Sequence, residues 1–146
     1  MKKAIYSLTF IVALIFSGTL SAQHSEVHKL DKQIELQLDS ATHSMMMFIL
    51  KQDTAYYVDA IARADKSKVL VKQFKDASAK EKGMTGRADA DELALYIEEI
   101  NLLKKPTIKE TVLGDKKQTE KYKYKGQAYS VGTKSKALLD QFAENL

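Results

Sequence analysis

Apolar side chains recur at steps of three and four from residue 25 to residue 51: Val27, Leu30, Ile34, Leu38, Ala41, Met45 and Phe48. That period is the stripe of a long amphipathic helix, with Glu26, Lys29, Asp31, Lys32, Glu35, Gln37 and Asp39 off or beside it. From Met45 to Leu50 the chain is apolar on every side, so this end of the helix is expected to be the more deeply buried. Gln52-Asp53-Thr54 then supplies a break and a new N-cap, from Asp53 or Thr54.

Tyr57, Val58, Ile61 and Ala62 open a second helix. Its continuation is ambiguous, because Val69–Phe74 fits either a helix or a short strand. Flanks rich in Ala and Lys favour helix to about Lys80. Residues 78–87 read as a linker, with Gly83 and Gly86 among small and charged residues. Asp89 followed by Glu92 is a cap-like pair opening a third helix, whose apolar face is Leu93, Tyr96, Ile97, Ile100 and Leu103. Lys104 and Lys105 suit its C-terminal dipole, and Pro106 stops it.

After Pro106 the period changes. Ile108–Leu113 reads as a strand, 114–118 as a turn, and Thr119–Lys125 with Gln127–Val131 as a hairpin around Gly126. A two-residue turn at Lys125-Gly126 sets Tyr122 opposite Tyr129, Glu120 opposite Val131 and Tyr124 opposite Gln127. One face then carries Tyr122, Tyr124, Tyr129 and Val131, the other Lys121, Lys123, Ala128 and Ser130. Thr133 or Ser135 caps a closing helix with Leu138, Leu139, Phe142 and Leu146 on one side. The expected fold is α+β and mainly helical. A long N-terminal helix packs with one or two further helices, followed by a short antiparallel three-stranded segment and a C-terminal helix.

Composition adds a destination. Lys2 and Lys3, the apolar run Ala4–Phe16 and the small-residue exit Ser17–Ala22 have the layout of a secretory signal peptide. Cleavage after Ala22 leaves 124 of the 146 residues, a single small globular domain over 23–146 with a candidate hinge at 78–88 and no transmembrane span. One shared core is the simpler reading, since neither half alone buries much apolar surface. The chain has no Cys, which excludes disulfides, thiolate metal sites and thiol catalysis. The expected location is periplasmic or secreted.

Charge is nearly balanced in the mature chain, 21 basic against 19 acidic groups, but it is uneven. Residues 23–100 carry a net −3, whereas residues 101–136 carry 10 basic and 3 acidic groups, a net +7. This basic segment is the first candidate for function. Lys121, Lys123 and Lys125 interleave with Tyr122, Tyr124 and Tyr129, a mixture that can hold an anionic glycan, a lipid headgroup or an acidic protein surface. Nothing in it repeats a nucleic-acid-binding motif, which argues against nucleic acid. The plainer reading puts the tyrosines inward as core and the lysines outward as solvated guards of a strand edge.

A second candidate is His43 with Met46 and Met47, three and four residues apart on one helical face. Imidazole with two thioethers is a soft donor set suited to copper, whereas methionines in an all-round apolar helix more often fill core space. His24 and His28 form a third set beside Glu26 and Asp31, two ligands short of a full metal site. The chain carries no Gly-x-Ser-x-Gly, His-Glu-x-x-His, P-loop or dinucleotide fingerprint. The leading expectation is therefore an exported non-catalytic binding protein. A periplasmic copper-binding protein is the alternative, and a small hydrolase-type enzyme is the third.

Overall fold

The computed structural model describes residues 2–81, 86–116 and 119–146, with side chains from 26 to 81, from 90 to 116 and from 119 onward. The elements run in the order α1 (Lys2–Lys51), α2 (Thr54–Lys80), α3 (Gly86–Leu103), α4 (Thr107–Gly114), β1 (Glu120–Tyr124), β2 (Gln127–Val131) and α5 (Thr133–Ala143). The molecule is mainly helical, with a small β-hairpin.

The stripe expected on the first helix is the one that is buried. Leu30, Ile34, Leu38, Ala41, Met45 and Phe48 all lie in the core, and Val27 packs half-buried at its edge. The backbone of α1 continues unbroken through the expected cleavage position; the side chains of the expected leader lie outside the described residues. Among the described residues no helix is long and apolar enough to cross a membrane. α1 ends where Gln52 turns into the left-handed region at φ 57°, its N–H still bonded to the Phe48 carbonyl at 2.7 Å. Asp53 then caps α2, its carboxylate accepting from the Ala55 N–H at 2.9 Å.

α2 is one helix through the ambiguous stretch, so Val69–Phe74 is helical. Its buried line is Ala60, Ala64, Ser67, Val71, Phe74 and Ala77. Half of that line is alanine, and Ser67 joins it by bonding its hydroxyl back to the Arg63 carbonyl at 2.9 Å. The small seam lets α2 lie along α1, the most extensive pairing in the fold, and it hides the helix from a hydropathy reading. Val58, expected on the buried face, is 66% exposed for this reason.

α3 packs on both α1 and α2, with Tyr96, Ile100 and Leu103 buried as the period requires. Ile97, expected on the same apolar face, is 45% exposed. The Asp89 side chain and Gly83 lie outside the described residues.

The three-stranded segment is corrected to two strands. Residues expected as the first strand, Ile108–Leu113, form α4 instead. α3 ends at Leu103, ahead of Pro106 as expected, but Pro106 also opens α4: it sits at the N-cap with φ −61° and ψ −30°, and the Ile108 N–H bonds back to the Lys105 carbonyl at 3.2 Å. The i, i+4 pair Ile108 and Val112 is fully buried, whereas a strand would have faced Glu110 into the core beside them. The two remaining strands pair antiparallel in the expected register, Glu120 with Val131, Tyr122 with Tyr129 and Tyr124 with Gln127. Lys125 and Gly126 both have positive φ, 46° and 79°, as a type I′ turn demands.

Gly132, rather than Thr133 or Ser135, is the N-cap of α5, and the capping side chain comes from elsewhere in the chain. Asp115 accepts from the Ser135 N–H at 2.8 Å. A Cβ on Gly132 would stand 2.1 Å from the Asp115 carboxyl carbon, so glycine leaves the space this cap occupies. α5 buries Ser135, Leu139 and Phe142 and packs on α1, α4 and the hairpin.

Candidate functional site

Alternation along each strand divides the hairpin. Tyr122, Tyr124 and Tyr129 are half-buried and Val131 is buried, all packed on the core, while Lys121, Lys123, Ala128 and Ser130 face outward. A two-stranded sheet cannot stand alone in water, and the aromatic face is what attaches it. The tyrosines are thus spent on seating the hairpin, and the lysines are left to solvent. Burial pushes the phenols of Tyr122 and Tyr124 above their ordinary range. Tyr129 donates its hydroxyl to Gln127 Oε1 at 3.0 Å.

The seat on α1 is His43. Its Nδ1 lies 2.7 Å from the Tyr124 hydroxyl in a hydrogen bond, and the two rings stack with centroids 5.7 Å apart. Two separately expected candidates, the hairpin and the histidine, therefore meet. Burial, and then the Lys125 ammonium, hold the His43 imidazole below its usual pKa. Lys125 in turn lies 5.7 Å over the Tyr124 ring.

Beside this contact opens a shallow cavity of about 340 Å³, lined by Asp39, Ser40, His43, Ser44, Arg63 and Lys125. Ser44 donates to Asp59 Oδ2 at 2.5 Å and the Arg63 guanidinium donates to the same oxygen at 2.8 Å. The Ser44 hydrogen bond first, and Arg63 second, hold the Asp59 carboxyl below the usual carboxylate range. The serine is committed to this carboxylate and not to the imidazole, so His43 and Ser44 do not form a nucleophile–base pair. Sequence reading missed Asp59, Ser44 and Arg63. The available signals were serines on an otherwise apolar stretch of α1 and one of the chain's two arginines.

Of the soft donors, Met46 is fully enclosed in the core and Met47 is half-buried against it. His28 is exposed, and the side chain of His24 lies outside the described residues. Fifteen residues of unbroken helix separate His28 from His43 by about 22 Å, so the histidines form no common site within α1.

One further cluster was unforeseen. Asp31 and Glu35 of α1 and Glu92 of α3 bring carboxylate oxygens within 4.8 Å of one another. Tyr96 donates its hydroxyl to Asp31, and Lys32 reaches Glu35 at 2.8 Å. Burial and the Asp31 bond push the Tyr96 phenol well above its ordinary range. The cluster ties α3 to α1 through a buried phenol. No family model matches the chain, and neither a curated protein nor a solved structure matches it.

Proposed function

We propose that this protein is an exported, non-catalytic binding protein whose hairpin holds an anionic partner, a glycan, lipid headgroup or acidic protein surface. The observation that carries this reading is the sidedness of the hairpin: Lys121 and Lys123 stand exposed on one face while the tyrosines anchor the other. Lys125, at the turn, extends the cationic face to the rim of the His43 cavity. The net +7 of residues 101–136 provides the surrounding field. Export rests on the leader-like first 22 residues and on a core built with no Cys.

Such binding is electrostatic and therefore salt-dependent. Lys121→Glu combined with Lys123→Glu is expected to abolish retention of the mature protein on heparin and on anionic vesicles. Both side chains point to solvent, so the thermal midpoint should stay within a degree or two of the parent. Retention that survives the double substitution, with the same salt dependence, removes the hairpin from consideration. Comparison of heparin with vesicles separates the glycan from the lipid.

A further inference from the structure

A second lysine cluster lies along the contact of α2 with α3. On α2, Lys68, Val71, Lys72 and Lys75 share one helical face, and on α3 Leu93, Ile97 and Ile100 share another. The two faces border a groove of about 440 Å³, within the range of small-molecule sites. Phe74 and Tyr96 pack edge to face at this contact, with centroids 6.2 Å apart. The groove has an aliphatic floor, in which Ile97 is left 45% exposed although the helix period assigns it to the core face. Along α3 it runs from Leu93 to Lys104, about 16 Å.

The α2 side of the rim is cationic. Lys68, Lys72 and Lys75 stand on one wall, with Asn101 and Lys104 on the other, and among the described residues no acidic side chain lines the groove. Lys104 is paired with Asp65, whereas Lys68, Lys72 and Lys75 make no ion pair with a described residue. An aliphatic trough edged by three ammonium groups is complementary to one kind of molecule, a slender apolar body with an anionic end. A neutral apolar ligand would leave the lysines unanswered, and a compact anion would leave the aliphatic floor wet.

We infer that the α2–α3 groove binds a free single-chain amphiphile with an anionic head, of the long-chain carboxylate class. The chain lies on Val71, Leu93, Ile97 and Ile100, and the carboxylate is held at the Lys72–Lys75 end. This site is separate from the hairpin, and either can fail without the other.

The test is calorimetric titration of the full mature protein with monomeric laurate, with dodecanol as the uncharged comparison. Saturable binding at one site is expected. Lys72→Glu with Lys75→Glu should weaken it about tenfold or more, since the carboxylate loses two ammonium partners and meets like charge in their place. Ile97→Glu, at a position already open to water, should weaken it comparably through the floor. Lys121→Glu with Lys123→Glu should leave it within twofold. Circular dichroism of each variant establishes that the helices persist, and a variant that unfolds is replaced by Lys72→Gln with Lys75→Gln. Absence of saturable laurate binding overturns the inference. So does equal affinity for dodecanol, undiminished binding by the groove variants, or retention on anionic vesicles without uptake of laurate.

Discussion

On the hairpin, Lys121 and Lys123 rise from a two-stranded sheet with Ala128 and Ser130 beside them, so what lies between the cations is backbone and small side chains. On the α2–α3 groove, Lys68, Lys72 and Lys75 flank Val71, Leu93, Ile97 and Ile100, so what lies between them is hydrocarbon. The number of charges is similar, but the ligand chemistry differs. A solvated cationic face attracts any dense anion and loses it to salt, because screening acts over about 10 Å at 0.1 M. A cationic rim around an apolar trough adds burial to attraction, and that part is insensitive to salt. Lysine content therefore locates a surface, and the residues between the lysines decide what it selects.

The two regions also differ in how they are held, which allows each to be disturbed alone. The largest effect is expected from Phe74→Ala on the groove side. Phe74 is 1% exposed and stacks edge-on with Tyr96, so its truncation should cost about 3–5 kcal/mol of stability. A urea midpoint shift at unchanged slope measures it. In the folded fraction laurate binding should fall while heparin retention persists; loss of both would mean that the two regions are not independent.

Asp115→Ala comes next and acts on the hairpin side. It removes the carboxylate that caps α5 through the Ser135 N–H, and the expected cost is about 1 kcal/mol, within the range for lost N-caps. Amide exchange should rise in the first turn of α5 and in β1, which packs on it, and not in α3. Uniform acceleration across all helices would contradict a local cap.

The smallest effect is one of pH. His43 faces Tyr124 and Lys125 of the hairpin, Asp39 on its own helix and Arg63 on α2. Its folded pKa lies below the ordinary 6.5 because of burial and Lys125, so on acidification the unfolded chain takes up the proton first. The stability this group contributes is complete above about 6.5 and is lost as pH falls from there toward the folded value. Protection of the hairpin amides, corrected for intrinsic exchange, should fall between pH 7.5 and 5.5, and His43→Gln should flatten that change. His43 does not line the α2–α3 groove, so amide protection of α2 from Lys68 to Lys75 is the comparison and should change less than that of β1. Equal protection of β1 at both pH values would leave the His43–Tyr124 bond without a stabilising role.

The first helix was readable because its stripe is made of large side chains; Ile34, Leu38, Met45 and Phe48 announce a face by size as well as period. α2 was only half readable because its seam is Ala60, Ala64 and Ser67, which hydropathy barely separates from a solvated face. α4 was misread because Ile108–Leu113 is too short to choose a period by itself, and Pro106 reads equally as a stop or a start. The candidate site was legible in its parts, lysines, tyrosines and a histidine, but not in their assembly. The groove was not legible at all: Lys68, Lys72 and Lys75 lie on a helix that is itself net basic, inside a stretch, 23–100, that acids outside that helix bring to a net −3.

The amino-acid sequence by itself determined the long helix of residues 25–51, the hairpin with its register and turn, and the side of each strand that carries lysine. These are consequences of local steric preference and of the two periods, 3.6 and 2, by which backbone geometry sorts side chains onto faces. Only the tertiary structure decided that His43 meets Tyr124 across 81 positions, that Asp115 caps a helix 20 positions away, and that α2 and α3 enclose an aliphatic trough between lysines. Periodicity states that a face must be covered. Which partner covers it, and what is left open between them, depends on the packing of the whole chain around one core.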